Sequence, residues 1–141
     1  MPLEPLDNLV GLRKLKAEDG TQDEISGLAR SAGRRLTDAE NTRLSDESRF
    51  DLAYNAAHAL SLAALRWHGY RSENRYLVFQ MLPHTLGLPA QLWRVLDQAH
   101  RKRNMVEYEG DSEIDRELLD ALIRVAREVA LRVAKLKPLD T

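Results

Sequence analysis

The sequence predicts an all-α protein: an antiparallel bundle of the four-helix type with one or two additional short helices. Leu and Ala together number 40, whereas Val, Ile and Thr together number 15. Small and unbranched side chains lose little rotamer freedom in a helix, while β-branched side chains favour strands. No segment alternates apolar and polar residues with period two. The 141 residues suit one domain, which we expect to span residues 1–141.

Caps and apolar spacing place the helices in the first part of the chain. A short helix is predicted over residues 6–16, before the turn Asp19-Gly20. The next helix begins at Thr21, whose hydroxyl can accept from a backbone N–H while Glu24 reaches back in a capping box. Its apolar residues then recur at three- and four-residue steps as far as Ala39, which indicates one buried face.

The third helix is predicted to be the central one. Ser45 caps its start, and Asp46 and Glu47 lie at the positive end of the helix dipole. The helix is expected to end at about residue 68, before a left-handed Gly69. Because apolar residues occupy most of its circumference, it must be covered by neighbours on several sides.

The second part of the chain predicts three more helices. One covers residues 74–82 and ends near Pro83. The next has Pro89 at its first position, where a missing N–H costs nothing. Ser112 is expected to cap a long final helix that ends before Pro138.

Composition excludes several functional classes. The 21 basic and 22 acidic residues give a net charge of −1, which argues against a broad basic surface for nucleic acid. The absence of cysteine excludes a disulfide scaffold and a thiol nucleophile. The four histidines lack a metal-binding spacing, so we expect no metal and no cofactor. We see no secretory signal, and the stretch 52–67 is too polar to span a bilayer, which predicts a cytoplasmic protein without a membrane partner.

Residues 100–110 are the main candidate for chemistry. On a continuing helix His100, Asn104 and Tyr108 form one stripe, flanked by Arg103 and Glu107. An arginine fork binds phosphate in a bidentate manner, and an Asn amide both donates and accepts hydrogen bonds. The alternative is a solvated helix end, in which Arg103 forms an ordinary intrahelical pair with Glu107.

Other polar residues are interpreted more simply. Arg101 and Lys102 add positive charge, and we group them with Arg103 and Asn104 as predicted phosphate- or nucleotide-binding residues. His58, inside the third helix, is expected to be a hydrogen-bonded structural residue. Three cations on the second helix are interpreted as a solvated, salt-bridged surface rather than an RNA-binding face: Arg30, Arg34 and Arg35.

Two segments of the chain resemble the HEPN superfamily of helical-bundle domains. One is residues 49–60, RFDLAYNAAHAL, followed by an apolar run to Gly69. The other is Arg103-Asn104, ahead of the last long helix; it matches the start of a motif in which an Arg and a polar residue are followed, a few residues on, by His. The resemblance covers roughly residues 25–136 and adds to the helical pattern derived above.

The resemblance implies a homodimer in which motif residues from both subunits meet at a shared cleft. In catalytic members that cleft cuts RNA without metal, the Arg holding the phosphate and the His moving protons. Here Tyr108 stands at the His position, and an unperturbed phenol with a pKa of about 10 is a poor general base at neutral pH. His100 is the alternative proton carrier. The catalytic candidates are therefore Arg103, Tyr108 and His100.

Three functions follow, in the order in which the sequence favours them. The first is a HEPN-like module that binds RNA or a nucleotide phosphate without hydrolysis. The second is a structural homodimer that binds another protein. The third is a metal-independent, toxin-type ribonuclease with an altered motif. Because some HEPN domains work beside a nucleotidyltransferase, such a protein, or an antitoxin-like one, is a candidate partner.

Overall fold

Helices make up most of the structure, a computed structural model that describes residues 3–109 and 113–140 apart from the side chains of 107–109. Its elements in chain order are α1 (Glu4–Gly11), β1 (Lys16–Ala17), α2 (Gln22–Ala39), α3 (Asp46–Trp67), β2 (Tyr70–Arg71), α4 (Arg75–Gln80), α5 (Leu82–Thr85), α6 (Ala90–Glu109) and α7 (Arg116–Ala134). The predicted all-α bundle is confirmed. The two short strands form an antiparallel ribbon that the sequence does not predict.

Helix α3 is the centre of the bundle, as predicted. It packs against α2 and α7, and the short helices α4 and α5 also contact it. Leu36 of α2 and Leu122 and Val129 of α7 are buried. Each such side chain contributes roughly 1.5–3 kcal/mol through its burial. Alanines with no exposed surface let the neighbouring helices approach α3 closely: Ala53, Ala56, Ala57, Ala63 and Ala64.

Most helix ends follow the predicted caps. The Thr21 hydroxyl accepts from the Glu24 N–H at 3.2 Å, and Ser45 caps α3 in the same way. Gly69 has a φ of +89°, the left-handed conformation expected after α3. The second half of the predicted capping box is absent, because the Glu24 carboxylate accepts from Arg66 instead of reaching back.

Two other boundaries differ from the prediction. Helix α7 begins at Arg116, and its cap is Asp115, whose carboxylate accepts from the Glu117 N–H at 3.0 Å. The predicted cap, Ser112, lies outside the described residues. The predicted helix over 74–82 corresponds to α4, which already ends at Gln80, and Pro83 lies in the first turn of a separate helix, α5, where proline is tolerated.

The first helix is shorter than the predicted 6–16. It ends at Gly11, and Arg13 then takes a φ of +59°. The Arg13 N–H donates to the carbonyl of Val10 at 3.0 Å, and the Lys14 N–H donates to that of Leu9 at 2.9 Å. These two bonds satisfy the last carbonyls of α1 and turn the chain into β1.

Buried Arg66 fixes the ribbon to the end of α3. Its side chain is 3% exposed, and its guanidinium donates to the Glu24 carboxylate. It also donates to the main-chain oxygens of Glu18 at 2.7 Å and Asp19 at 3.0 Å. A Cβ at Gly20 would lie 2.8 Å from the Arg66 carbonyl oxygen, so this close approach requires glycine.

Candidate functional site

Helices α3, α4 and α6 meet around the side chain of Tyr54, which is 1% exposed. Its hydroxyl lies 2.9 Å from Nδ1 of His100 on α6. Phe79 of α4 contacts the Tyr54 ring edge to face, with centroids 5.6 Å apart. Aromatic packing therefore fixes the ring, while the hydroxyl finds the polar partner that a buried tyrosine needs.

Two guanidinium groups converge on the same ring. The Cζ atoms of Arg103 and Arg75 lie 4.6 Å and 5.7 Å from the Tyr54 ring centroid, within range of a cation–π contact. Arg75 donates to the neutral side-chain oxygen of Asn55 at 2.9 Å. Among the described residues, the carboxylate closest to the Arg103 guanidinium is that of Asp51, at 3.9 Å from Nε. Both positive charges thus lie beside one ring, and within the described residues neither guanidinium has a carboxylate closer than 3.9 Å.

The Tyr54 phenol does not neutralise these charges. Burial raises the pKa of Tyr54, and the nearby guanidiniums of Arg103 and Arg75 oppose that rise only in part. A phenol whose pKa lies above its usual value stays protonated at neutral pH. The arginine pair therefore keeps its net positive charge.

His100 is held at both ring nitrogens. Nδ1 contacts Tyr54, and Nε2 lies 3.4 Å from the side-chain amide nitrogen of Asn104. The ring of Tyr76 lies beside it, with centroids 4.9 Å apart. Burial lowers the pKa of His100, and Arg103 acts in the same direction. The imidazole is therefore neutral at pH 7 and fixed in its orientation.

Asp97 forms an ion pair with Arg101, which distinguishes this arginine from Arg103. Its carboxylate accepts from the Tyr76 hydroxyl at 2.8 Å and lies 3.2 Å from Nη2 of Arg101. The Arg101 side chain is 74% exposed, whereas that of Arg103 is 24% exposed. Arg101 is an ion-paired surface residue, and Arg103 is the arginine of this segment that faces the site.

His58 lies one turn after Tyr54 on α3 and next to Phe79, with ring centroids 6.1 Å apart. Burial lowers the pKa of His58 to about 4, and Arg75 and Arg103 push it in the same direction. Its Nε2 is buried and has no hydrogen-bond partner in the described part of the chain. The prediction of a hydrogen-bonded structural histidine is thus wrong for this nitrogen. The ring lies in an apolar setting under a positive potential.

A cleft of about 240 Å³ opens on the other side of Arg103, between the start of α3 and the end of α6. Phe50, Val106 and Ile114 form its apolar lining, and Glu47 and Asp51 supply carboxylates. Carboxylates repel phosphate but accept hydrogen bonds from amino groups. This cleft therefore suits a flat, amino-bearing group, such as a nucleobase, better than it suits a phosphate.

Three of the predicted site residues come together: His100, Arg103 and Asn104. Lys102 is half-exposed on the same helix, and Arg101 is paired with Asp97. The backbone of α6 continues through Tyr108, but the side chain of Tyr108 lies outside the described residues. The Glu107 side chain lies outside them too, so the alternative Arg103–Glu107 pair stays a prediction.

Tyr54 and Arg75 are not among the predicted site residues, although Tyr54 lies in the segment 49–60 that resembles HEPN domains. The sequence contains one indication of a role for Arg75. It lies in the first turn of α4, where a positive charge is unfavourable because it faces the positive end of the helix dipole. Tyr54 and His58 are polar rings one turn apart in a largely buried helix. Their approach to α6 depends on how α4 packs between the long helices, which spacing alone does not give.

The described residues contain no group of three or more His, Asp or Glu side chains placed to hold a metal ion. None of the described helices is long and apolar enough to cross a membrane. Comparison of the chain with protein-family models, with curated proteins and with solved structures finds no match. The site is therefore interpreted from its own geometry.

Proposed function

We propose that the protein is a HEPN-like module that binds the phosphate of RNA or of a nucleotide at the Arg75–Arg103 pair, without cutting it. The convergence of these two guanidiniums on the buried Tyr54 ring is the observation that carries this proposal. Arginine forks bind phosphate oxygens through paired, charge-assisted hydrogen bonds. The resemblance to HEPN domains at Arg103-Asn104 supports the same assignment.

The charge arrangement favours a bound anion over a purely structural role. Arginines that only stabilise a fold commonly pair with a carboxylate, as Arg66 does with Glu24. Arg75 instead contacts a neutral amide, and Asp51 lies at the outer limit of an ion pair with Arg103. Two like charges brought together repel each other, and a phosphate between them relieves that repulsion. Phosphate binding should therefore also stabilise the folded protein.

The surroundings of His100 favour binding over cleavage. Its Nδ1 is engaged by Tyr54 and its Nε2 by Asn104. A general base must present a free lone pair to the proton that it removes. The residue at the family's His position is Tyr108, whose phenol is a weak base at neutral pH.

A homodimer is part of the proposal, and the HEPN resemblance supports it. Met105 of α6 is 42% exposed, an apolar residue that a second copy can cover. The cytoplasm, where RNA and nucleotides occur, is the proposed location, and a nucleotidyltransferase or an antitoxin-like protein is the proposed class of partner. Sedimentation of Met105→Glu against the native chain tests the dimer.

The decisive experiment compares two arginines on the same helix. Arg94 is exposed and lies about two and a half turns before Arg103, so it is on the opposite face of α6. Anisotropy of a labelled single-stranded RNA, read in chelator at 50 and 200 mM salt, should show salt-sensitive binding. We expect Arg103→Ala to lose about tenfold in affinity and Arg94→Ala less than twofold. Equal losses, or no salt-sensitive binding by the native chain, contradict the proposal.

The ribonuclease alternative is favoured by one contact, the pairing of Tyr54 with His100 beside two arginines. It predicts RNA cleavage in chelator by the native chain, lost in Arg103→Ala. Under our proposal the native chain leaves RNA intact, and Tyr108→His gains cleavage because it restores a group that titrates near neutral pH. If RNA binding is absent and dimers persist, the structural-homodimer function takes precedence.

A further inference from the structure

A second cluster of cations lies on the β1–β2 ribbon and on the turn before it, outside the group of residues that surrounds Tyr54. We call it the ribbon patch: Arg13, Lys14, Lys16 and Arg71, all of them exposed. The four residues line one groove of about 160 Å³, together with Ser72 and Glu73. Strand pairing places Lys16 directly opposite Arg71. Two separate parts of the sequence thus contribute positive charge to one surface.

The charge of the ribbon patch is only partly neutralised. Glu18 pairs with Arg71 at 3.0 Å, but it also lies 3.3 Å from buried Arg66, so one carboxylate serves two guanidiniums. Arg71 and Arg66 contribute to a lowered pKa of Glu18, which keeps that carboxylate ionised. Within residues 3–109 and 113–140, Arg13 and Lys14 have no ion pair, and Glu73 is the carboxylate that lines the groove. The groove therefore carries a net positive charge.

The backbone at Arg13 points to a use for its side chain. Arg13 occupies the left-handed position after α1, with a φ of +59°, a conformation that glycine adopts without strain and other residues rarely adopt. Gly11 lies two residues earlier, in the helix itself, where glycine is not needed. A long cationic side chain thus stands where the turn alone favours glycine. Backbone strain of this kind is commonly found where the side chain has a functional role, such as binding a ligand.

A short segment of chain joins the ribbon patch to the arginine pair of the proposed site. Arg71 ends β2, and Arg75 begins α4 four residues later, so their Cα atoms are at most about 14 Å apart. Arg66 holds the ribbon at the end of α3 through the Glu18 and Asp19 carbonyls. Arg75 is therefore near enough along the chain for one strand of several nucleotides to contact both it and the groove.

We propose that the ribbon patch binds the backbone of a single-stranded RNA whose phosphate occupies the Arg75–Arg103 pair, so that the protein selects an RNA strand over a mononucleotide. This inference rests on the proposed function. A chain of cations matches the regular phosphates of a strand, which a single nucleotide lacks. An anionic membrane fits less well, because Leu6 of α1 has no exposed surface and Leu9 and Val10 pack against the core. Exposed Leu12 alone does not make an apolar face.

Two probes separate the patch from the arginine pair. The dinucleotide ApA carries one phosphate and reaches the arginine pair alone, while the twelve-nucleotide A12 extends along the ribbon. We expect Lys14→Ala/Lys16→Ala to weaken A12 binding about tenfold, to make its salt dependence shallower by about 1.4 in log–log slope, and to leave ApA binding unchanged. The matched control is Arg30→Ala/Arg34→Ala, two exposed cations on α2, which should change A12 affinity less than twofold.

Arg13→Gly provides a test that misfolding cannot imitate. The substitution relieves the left-handed backbone, so its urea midpoint should rise, while its A12 affinity falls about threefold. If Arg13 serves only the turn, Arg13→Gly raises the urea midpoint and leaves A12 affinity unchanged. That result overturns the proposed role of Arg13 in RNA binding.

The remaining outcomes are separable. If A12 binding depends on Arg103 but not on Lys14 and Lys16, the ribbon proposal fails and the proposed function stands. If the native chain binds neither A12 nor ApA, both fail. Equal loss of ApA and A12 in the lysine variant also overturns the ribbon proposal. A membrane role is tested with phosphatidylcholine–phosphatidylglycerol vesicles. If the native chain binds them, and the lysine variant loses vesicle binding but keeps A12 binding, the patch binds membranes and the ribbon proposal is overturned.

Discussion

The Tyr54 hydroxyl and the His100 imidazole form a 2.9 Å hydrogen bond between α3 and α6, in which Tyr54 is buried and His100 is half-buried. Tyr54→Phe removes this bond and leaves His100 Nδ1 without its partner. We expect a loss of about 1 kcal/mol in the free energy of unfolding, measured with urea. The nitrogen shifts of His100 should change, while those of exposed His84 stay constant. An unchanged His100 spectrum contradicts the bond.

Protonation of His58 should destabilise the fold in mild acid. The pKa of His58 is about 4 in the folded protein, against an ordinary value of about 6.5 when unfolded. Between these values the unfolded chain binds the extra proton, so stability falls as pH falls through this window and is retained above it. The loss from this residue is about 2 kcal/mol at pH 5.

The urea midpoints of the native chain and of His58→Gln at pH 7 and pH 5 measure this effect. The variant should show the smaller decrease on acidification, because glutamine does not titrate. His84→Gln, at an exposed histidine, is the control and should behave like the native chain. Identical acid sensitivity of all three proteins rules out His58 as the source.

Asp51 should weaken anion binding at Arg103. Its carboxylate lies 3.9 Å from Arg103 Nε and therefore competes with a phosphate for the guanidinium. We expect Asp51→Asn to tighten RNA binding about threefold, a gain that corresponds to less than 1 kcal/mol and suits an exposed charge. Asp38→Asn on α2 removes the same charge at a distance and serves as the control. Weaker binding by Asp51→Asn shows instead that the carboxylate takes part in holding the ligand.

Two glycines should respond to alanine in opposite ways. A Cβ at Gly20 meets the Arg66 carbonyl oxygen at 2.8 Å, so Gly20→Ala forces the backbone to move and should cost about 1–3 kcal/mol. A Cβ at Gly33, within α2, meets nothing within 4 Å. Gly33→Ala should stabilise the protein by about 0.5–1 kcal/mol, because alanine is the better helix former. Denaturant unfolding of both variants gives the comparison, and a gain in Gly20→Ala contradicts the close packing at Arg66.

The long helices are predictable from sequence because their signals are local. Thr21 and Ser45 cap helices within three residues of the groups that they satisfy, and Gly69 ends α3 by its own backbone preference. The His100, Arg103 and Asn104 cluster follows from the helical period alone. These features require no knowledge of what packs against them.

The parts that escaped prediction depend on distant contacts. The ribbon pairs residues 16–17 with 70–71, and its strands are too short to show an alternating pattern. The Glu24 carboxylate accepts a hydrogen bond from Arg66 on another helix and does not complete the capping box. Arg75 joins Arg103 only because α4 carries it to the Tyr54 ring. In each case the residue's contact is with a partner distant in sequence, which local patterns do not reveal.

The pairing of Lys16 with Arg71 also bears on the order in which the chain folds. Helices α2 and α3 are neighbours in sequence, so their contacts close short loops and form early. The two residue pairs of the ribbon are 55 and 53 positions apart, so their pairing carries a larger entropic cost of loop closure. We therefore expect β1 and β2 to dock late and to open before the bundle does, with fast amide exchange. The surface proposed to bind an RNA strand should then be less stable than the bundle, and a bound strand should slow its amide exchange.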